Sequence, residues 1–189
     1  LHRLIRRQRQ MCIRDRQKHR TEHKAGTELL AVGLRELYGM ELNRDRLSYG
    51  QHGKPYLRNH PEIHFNISHC EGLAVCVFSD TETGVDVERI REVKEKVIPK
   101  VFDRAEQELL FWNKAEKEKY KEIFYRFWTL KESYVKQSGQ GMTVKLTDFA
   151  FQPELDPGWR EVPCTDEKVG AMQCLSLIHI SEPTRLGMI

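Results

Sequence analysis

The sequence predicts an α+β fold of two similar lobes related by a pseudo-twofold, each a helix packed on a small, mostly antiparallel sheet. Residues 27–38 and 124–141 carry apolar side chains at three- and four-residue steps, which is typical of amphipathic helices. Residues 63–68 and 73–78 are short apolar stretches on either side of a glycine turn, which is typical of paired strands. Helix followed by strands occurs twice, which favours two lobes over alternating parallel βαβ units.

The composition is that of a globular protein of the cytoplasm. Of the 189 residues, 39% are hydrophobic and 31% are charged. The longest strongly apolar run, residues 73–78, is too short to span a bilayer, and no apolar signal segment follows the arginine-rich start. The five cysteines include no CxxC pair, so neither a zinc site nor a disulfide framework is indicated. We therefore expect a cytoplasmic protein with no membrane partner.

Positive charge is concentrated near the N-terminus. Residues 1–24 hold nine Lys/Arg and two Asp/Glu, whereas the whole chain has a net charge of +3. Such a basic arm can bind nucleic acid, which is one alternative function. However, MCIRDR at residues 11–16 and LSLIHISEPTR at residues 175–185 resemble translated sequencing-adapter read-through. We therefore expect residues 1–16 and 176–189 to be non-native or disordered, the C-terminal strands to be truncated, and nucleic acid not to be the partner.

The N-terminal lobe is predicted to cover residues 17–82. Its helix over residues 27–38 ends at Gly39, and its apolar face consists of Leu29, Leu30, Leu34 and Leu37. Residues 47–57 contain the fragment HGKPYL with Gly50, Gly53 and Pro55, which predicts a loop. The strands over residues 63–68 and 73–78 follow.

The C-terminal lobe is predicted to cover residues 83–175. Its helices begin with a capping-box pattern at Asp103 and Glu106. The predicted elements of this lobe are a strand over residues 85–90, helices over residues 102–121 and 124–141, a strand over residues 144–151, and the start of another at residues 170–174.

Two acidic residues on the strand over residues 85–90 suggest a metal site. Asp86 and Glu88 are two residues apart, so they share one face of the strand at about 7 Å from each other. Carboxylate oxygens of this kind are ligands of Mg²⁺, which also binds substrate phosphates. An amphipathic strand with a solvated acidic face is the alternative interpretation.

Ser68 and His69 lie at the end of a predicted strand, where polar groups can meet a ligand. No GxSxG elbow surrounds Ser68, so the pattern favours phosphate binding over covalent serine catalysis. A structural histidine is the alternative for His69. Lys54, Lys131 and Lys136 could neutralise a polyanionic substrate, and the alternative is that they are solvated surface lysines.

Lys131 and Glu132 lie side by side in the middle of the helix over residues 124–141. A lysine and a carboxylate held against a core on a rigid element can be catalytic groups. Glu132 and Lys136 are four residues apart, the usual spacing of a solvated ion pair, which is the alternative.

Four motifs carry a family resemblance. GKPYL, FNISH, GVDVE and FWTLKES occur in this order over about residues 27–142. Each motif is weak alone, but together they make the chain resemble the 4′-phosphopantetheinyl transferases, specifically the larger pseudo-dimeric bacterial type that activates peptide synthetases. The resemblance implies two α+β lobes, coenzyme A (CoA) and Mg²⁺ in the cleft between them, and a carrier-protein substrate.

The resemblance also implies a role for each matched residue. The metal ligands would be Asp86, Glu88 and Glu132. The catalytic groups would be Glu132, Lys131 and Glu106, although capping is an equally good account of Glu106. The CoA-binding residues would be Gly53, Lys54, Pro55, Ser68, His69, Lys131, Lys136 and Lys24, with Arg20 as the runner-up to Lys24.

The implied enzyme is a holo-[acyl-carrier-protein] synthase. It would move 4′-phosphopantetheine from CoA to a serine of an acyl or peptidyl carrier protein and release adenosine 3′,5′-bisphosphate. Glu132, Glu106 or a water molecule on the metal could accept the serine proton. Because one chain would complete the cleft, we expect a monomer. The alternatives are a nucleic-acid-binding protein that uses the basic arm and an inactive CoA-binding remnant.

Overall fold

The computed structural model describes residues 21–151 and the backbone of residues 175–179, without the side chains of Arg44 and Met142. Residues 1–20 of the predicted basic arm, including Arg20, and the strand start at residues 170–174 lie outside the described residues. The helices are α1 (residues 21–38), α2 (Ile98–Val101), α3 (Arg104–Trp112) and α4 (Lys117–Ser138). The strands are β1 (Leu47–Tyr49), β2 (Pro55–Leu57), β3 (His64–Cys70), β4 (Leu73–Ser79), β5 (Val85–Arg89) and β6 (Leu175–His179).

The described strands form three small sheets. β1 pairs with β2 and β3 pairs with β4, both antiparallel, whereas β5 pairs with β6 in parallel. Helices and small antiparallel sheets together confirm the predicted α+β class. β6 falls within the stretch expected to be a non-native tail, and it places Leu175 opposite Val85.

The first of two hydrophobic clusters lies between α1 and the β3–β4 hairpin. Leu30 and Leu34 of α1 pack with Phe65 of β3, as the helical spacing predicts. Leu37 was expected on the same face but is 65% exposed. The chain reverses at Gly39, which has a φ of +63°, and Met40 packs against this end of the cluster instead.

Residues 47–57, predicted as a loop, form the β1–β2 hairpin. Its turn is closed by the backbone N–H of Gly50, which donates to the carbonyl oxygen of Lys54 at 2.8 Å. Gly53 has a φ of +85°, which favours glycine. The glycines and Pro55 mark the turn correctly, but three-residue strands are too short to show an alternating pattern.

The second hydrophobic cluster is aromatic and lies around α4. Its core contains five buried phenylalanines: Phe102, Phe124, Phe127, Phe149 and Phe151. α4 begins at Lys117, before the predicted start at residue 124, and ends at Ser138, three residues before the predicted end at residue 141. Its C-cap is Gly139, with a φ of +64°. The predicted helix over residues 102–121 is interrupted after Trp112, where Asn113 turns the chain by donating its side-chain N–H to the carbonyl oxygen of Leu109.

The predicted strand over residues 144–151 is wrong. The chain here forms 3₁₀ turns at Gly141–Thr143 and Leu146–Asp148, and an isolated strand bridge at Phe151. The carbonyl oxygens of Leu146 and Phe149 accept hydrogen bonds from Lys131 rather than from a neighbouring strand. A side chain from α4 has therefore replaced the strand partner that the alternating pattern implied. Within the described residues, no helix has the length and apolar character needed to cross a membrane.

Gly84 allows β5 to approach α4 closely. A Cβ atom at this position would lie 2.0 Å from the carbonyl oxygen of Ser133 and 2.6 Å from the backbone nitrogen of Gln137. We expect Gly84→Ala to lower the free energy of unfolding by about 1–3 kcal/mol, because backbone atoms of a helix cannot move aside cheaply. Urea denaturation measures this, with Gly50→Ala as the matched control, since a Cβ there would meet only Lys54 at an ordinary 3.7 Å. Equal stability of the two variants would contradict the prediction.

Candidate active site

Side chains of β3 hold β5 in place. The backbone N–H of Val85 donates to Oδ1 of Asn66 at 2.9 Å, and the backbone N–H of Val87 donates to Oγ of Ser68 at 3.3 Å. Both acceptors are buried, so these bonds satisfy backbone groups that have no access to water. The arrangement fixes the intervening residue, Asp86, next to Ser68.

Asp86, Ser68 and Lys136 form one hydrogen-bonded group. Oγ of Ser68 donates to Oδ1 of Asp86 at 3.0 Å. Nζ of Lys136, on α4, lies 2.5 Å from the same Oδ1 and 2.8 Å from the serine oxygen. Asp86 is 4% exposed, and its second oxygen, Oδ2, is buried with no hydrogen-bond partner among the described residues. Three elements distant in the sequence therefore meet at one carboxylate.

Glu88 and Glu132 lie close enough to Asp86 to respond to its charge. Burial raises the pKa of each carboxyl, the negative charge of Asp86 raises it further, and the positive charge of Lys136 opposes the rise. A hydrogen bond from the Trp128 side chain also lowers the pKa of Glu88. Asp86, Glu88, Glu132 and Lys136 therefore lie within range of one another's charge, and we call these four residues the acidic cluster.

The ionised carboxylate of Glu132 lowers the stability of the folded protein at neutral pH, because it is largely buried and lies near the negative charge of Asp86. Because burial raises its folded-state pKa above the usual 4.5, the stability cost is absent below pH 4.5 and complete above the folded-state pKa. We expect Glu132→Gln to raise the free energy of unfolding at pH 7 and to lose this gain below pH 4.5, because the glutamine has no charge to bury. Thermal melts across this pH range measure it. Glu122→Gln, whose side chain on the same helix is 46% exposed, is the control, and a gain independent of pH would contradict the prediction.

The oxygen ligands of the acidic cluster fit a divalent cation such as Mg²⁺ in chemistry and charge. Three carboxylates face one contacting lysine, and Oδ2 of Asp86 is an unpartnered buried acceptor. In the described part of the chain, however, no three Asp, Glu, His or Cys side chains are arranged to hold one metal ion. The predicted convergence of Asp86, Glu88 and Glu132 on a single Mg²⁺ therefore stays a prediction.

A cavity of about 800 Å³ opens beside the acidic cluster. It lies between α1, the end of β3, the end of β5 and α4, and its lining includes Glu88, His69 and Trp128. The predicted ligand-binding residue His69 thus faces this cavity, where its Nδ1 lies 3.8 Å from the Glu22 carboxylate of α1. The volume is large enough for a nucleotide-sized ligand.

Lys54 lies at the end of α4 rather than in the cavity lining. Its ammonium donates to the carbonyl oxygen of Gln137 at 2.7 Å and to the carboxylate of Glu82 at 2.5 Å. The positive charge caps the C-terminus of the helix, where carbonyl oxygens lack partners. Gly53 and Pro55 flank it in the β1–β2 hairpin, which packs against the residue after Lys136.

Lys131 and Glu106 form a buried ion pair away from the acidic cluster. Their charged atoms lie 2.9 Å apart, and the side chains are 0% and 1% exposed. Nζ of Lys131 also donates to the carbonyl oxygens of Leu146 at 2.7 Å and Phe149 at 2.6 Å. These bonds use the three donors of an ammonium group. Lys131 is adjacent to Glu132 in sequence, but adjacent helix positions face different directions.

Glu106 has the capping-box role that the sequence offered as one of two accounts. Its Oε2 accepts from the backbone N–H of Asp103 at 2.9 Å, and its backbone N–H donates to the Asp103 carboxylate at 2.8 Å. Its Oε1 accepts from the backbone N–H of Phe151 at 2.9 Å. Burial raises its pKa, and the charge of Lys131 opposes that rise. The predicted catalytic roles of Lys131 and Glu106 stay predictions, and these contacts favour a structural role instead.

The matched family segment covers the acidic cluster. Residues 82–175 match the family model described as the 4′-phosphopantetheinyl transferase superfamily. This range contains β5, α3 and α4, and with them Asp86, Glu132 and Lys136. The chain belongs to the 4′-phosphopantetheinyl transferase superfamily. Lys24, which the resemblance predicted to bind CoA, is an exposed residue of α1 and lies outside the matched range.

Individual members of the superfamily resemble the chain over about two thirds of its length. The 4′-phosphopantetheinyl transferase Sfp of Bacillus subtilis is 31% identical over 132 residues, which is 69% of this chain and 58% of Sfp. The transferase HetI of Nostoc is 33% identical over 142 residues, or 71% of this chain and 59% of HetI. The transferase gsp of Aneurinibacillus migulanus is 35% identical over 99 residues, or 52% of this chain and 40% of gsp. The chain therefore spans less than two thirds of each of these curated relatives, which are consistent with the larger bacterial type.

Sequence reasoning missed two residues that build this superfamily site. Asn66 and Gly84 both act on the backbone of β5, one by accepting from Val85 and one by leaving room for α4. Asn66 lies two residues before Ser68 on the same strand face, a spacing that could have indicated a shared role. For Gly84 the only signal was its place at the start of the GVDVE motif.

Proposed function

We propose that the protein transfers 4′-phosphopantetheine from CoA to a serine of an acyl or peptidyl carrier protein and releases adenosine 3′,5′-bisphosphate, with Mg²⁺ as the metal. The observation that carries this proposal is the contact of Ser68 and Lys136 with a buried aspartate, Asp86, beside a large cavity. This group combines hydroxyl and ammonium donors for phosphate oxygens with carboxylates for a cation. It also lies partly within the segment that matches the superfamily.

The cavity lining combines charged and aromatic side chains. Trp128 and Phe124 supply aromatic surface, and Arg91 and Lys94 supply positive charge. Four glutamates also line the cavity, namely Glu22, Glu71, Glu88 and Glu92, so an anionic ligand would need further positive charge. The hydroxyl of Ser68 and the ammonium of Lys136, which contact Asp86 two residues before the cavity-lining Glu88, would donate to the diphosphate of CoA. His69, at the end of β3, would add a further donor.

Phosphoryl transfer requires mainly positioning and charge neutralisation. The serine oxygen of the carrier protein would form a bond to the phosphorus that carries pantetheine. The bond from that phosphorus to the oxygen of adenosine 3′,5′-bisphosphate would break, and the electron pair would leave with that oxygen. Lys136, the lysine in contact with the acidic cluster, would neutralise charge on the departing group. Asp86, Glu88 and Glu132 would hold Mg²⁺, which when bound supplies a positive charge to the diphosphate oxygens.

The serine proton must be accepted by a nearby base, and we assign this step to Glu132. In the cation-free protein burial raises its pKa, with the charge of Asp86 adding to the rise and that of Lys136 opposing it. Both oxygens of Glu106, by contrast, already accept hydrogen bonds within the core. General-base assistance of this kind contributes a factor of about 10²–10⁴ in rate.

We also propose a two-lobe architecture, a monomeric state and a cytoplasmic location for this protein. Two separate hydrophobic clusters support two lobes with boundaries near residues 17–82 and 83–175, related by a pseudo-twofold, with the cavity between them. A monomer would then contain a complete cleft, and CoA and the carrier protein would meet there in the cytoplasm.

Mass spectrometry of a carrier protein tests the proposal directly. The protein would be incubated with CoA, Mg²⁺ and an apo carrier protein, and the carrier is expected to gain the mass of one phosphopantetheine group. A parallel reaction with EDTA should show no gain. Binding of CoA without any gain, under conditions where Sfp modifies the same carrier, would instead identify an inactive CoA-binding remnant.

A further inference from the structure

The ammonium of Lys54 joins three segments of the chain. It donates to the carbonyl oxygen of Gln137 at 2.7 Å, to that of Thr83 at 3.3 Å and to the Glu82 carboxylate at 2.5 Å. In the described part of the chain these contacts use the three donors of an ammonium group, and the side chain is only 18% exposed. A further ligand of Lys54 would have to displace one of them.

The two backbone acceptors of Lys54 lie next to the proposed site. Gln137 follows Lys136 on α4, and Thr83 lies three residues before Asp86, shortly before β5 begins. Nζ of Lys136 and Oδ1 of Asp86 lie 2.5 Å apart. The two elements that supply this contact are therefore tied together by Lys54 within three residues of it.

Other contacts at this junction act in the same direction. The side chain of Gln137 donates to the carbonyl oxygen of Glu82 at 3.0 Å, so the end of α4 is also bound to the chain before β5. Gly139, the C-cap of α4, leaves room for the stem of Lys54, since a Cβ atom there would lie 3.4 Å from Cδ of the lysine. Loss of the ammonium would leave a carbonyl oxygen at the helix end without this donor and would loosen the junction.

We propose that Lys54 is a positioning residue, which holds the end of α4 against the start of β5 and thereby keeps Lys136 in contact with Asp86. The inference rests on the proposed function only for the reaction that Lys136 would serve. It departs from the CoA-binding role that the family resemblance implies for Lys54. Fixing a charged group in place from a neighbouring element is a recognised requirement of an active site, because small displacements lower the rate.

Glu82 separates the two roles of Lys54. If Lys54 positions α4, the carboxylate helps to hold the ammonium at the junction, and Glu82→Gln should loosen the contact between Lys136 and Asp86. If Lys54 instead binds a phosphate of CoA, the carboxylate competes with that phosphate, and Glu82→Gln should tighten CoA binding. The Glu82 side chain is 62% exposed, so its substitution should leave the protein folded.

Acetylation of Lys136 by acetic anhydride, followed by peptide mass spectrometry, measures the contact without CoA or a metal. Because a free amine reacts, release of Lys136 from Asp86 should speed its modification. We expect the rate at Lys136 to rise about three- to tenfold in Lys54→Met, a factor that corresponds to the net contribution of one hydrogen bond. In Glu82→Gln, which removes a partly exposed counter-charge, the rise should be about twofold.

Two controls accompany the acetylation experiment. Lys145→Met removes an exposed lysine that is paired with a carboxylate, and it should leave the rate at Lys136 unchanged. The exposed Lys100 of α2 is the reference amine in every sample. A role of Lys54 in overall stability alone would not change the rate at Lys136 at a temperature where every variant is folded.

Steady-state kinetics of carrier modification give a second readout. We expect Lys54→Met to lower kcat about tenfold and to change the KM for CoA about twofold at most, because positioning acts on the rate rather than on binding. For Glu82→Gln we expect a smaller fall in kcat and no decrease in the KM for CoA.

An unchanged rate of acetylation at Lys136 in Lys54→Met, or an equal rise in Lys145→Met, would overturn the inference. If Lys54→Met fails to fold, an unchanged rate in Glu82→Gln would do so. A lower KM for CoA in Glu82→Gln would also overturn it, in favour of CoA binding by Lys54. Absence of carrier modification by the unmodified protein would refute the proposed function, whereas the acetylation rates would still test the positioning role.

Discussion

Replacement of Asp86 by asparagine should abolish carrier-protein modification while the protein remains folded. The amide has the shape of the carboxylate and can still accept from Ser68 through its oxygen, but it carries no charge for a cation. Loss of one preorganised electrostatic contact of this kind lowers the rate by a factor of about 10²–10³. The mass gain of an apo carrier protein, followed over time with CoA and Mg²⁺, measures the effect.

The choice of asparagine follows from the burial of Asp86. Alanine would leave Ser68 and Lys136 without their shared acceptor inside the protein, which mixes a folding defect with the catalytic one. Asp80→Asn, in the exposed turn before β5, is a control for the loss of one negative charge. Near-normal transfer by Asp86→Asn would remove Asp86 from the proposed metal site.

Lys131→Met should cause the largest loss of stability among the variants considered. It leaves the Glu106 carboxylate buried without its counter-charge and removes the donor to the carbonyl oxygens of Leu146 and Phe149. Breaking a buried ion pair from one side costs about 3–5 kcal/mol. Chemical denaturation monitored by the aromatic fluorescence of α4 measures the loss, with Lys145→Met, which is 73% exposed, as the control.

A double variant separates the structural role of Lys131 from the catalytic role implied by the family resemblance. If the pair is structural, Lys131→Met combined with Glu106→Gln should be more stable than Lys131→Met alone, because no unpaired charge remains. A Lys131→Met protein of normal stability with a selectively reduced turnover number would favour the resemblance-based role and contradict the structural one.

Local pattern was sufficient to predict the elements that carry the site. The β3–β4 hairpin, β5 and α4 follow from apolar alternation, helical spacing and glycine signals. In β5, however, Val85, Asp86 and Val87 are all buried, so the alternation did not indicate which face is solvated. The helical spacing could not distinguish the buried face of Lys131 from the cluster face of Glu132. Both residues lie in one motif, and only the packing of residues 146–151 shows which side each occupies.

Long-range contacts account for what the sequence could not predict. The meeting of Ser68, Asp86 and Lys136 joins three elements across 68 residues of chain, and no local signal specifies it. Residues 144–151 have the alternation of a strand, but the donors of Lys131 compete successfully for their carbonyl oxygens. The family motifs named Asp86, Glu88, Glu132 and Lys136 as site residues, but they did not predict the contact between Lys136 and Asp86.

The two hydrophobic clusters share none of their buried members, and across the site β3 and β5 are linked by polar groups such as those of Asn66 and Ser68. Exposure of apolar surface to water is unfavourable, so a hydrophobic cluster resists opening. Hydrogen bonds between protein groups can be replaced by hydrogen bonds to water at a net cost of only about 0.5–1.5 kcal/mol each. The contact between β3 and β5 should therefore open more readily than either hydrophobic cluster, and Ser68 and Asp86 lie at this contact. Under the proposed function, entry of CoA and release of adenosine 3′,5′-bisphosphate would then require local opening of this contact, not unfolding of either hydrophobic cluster.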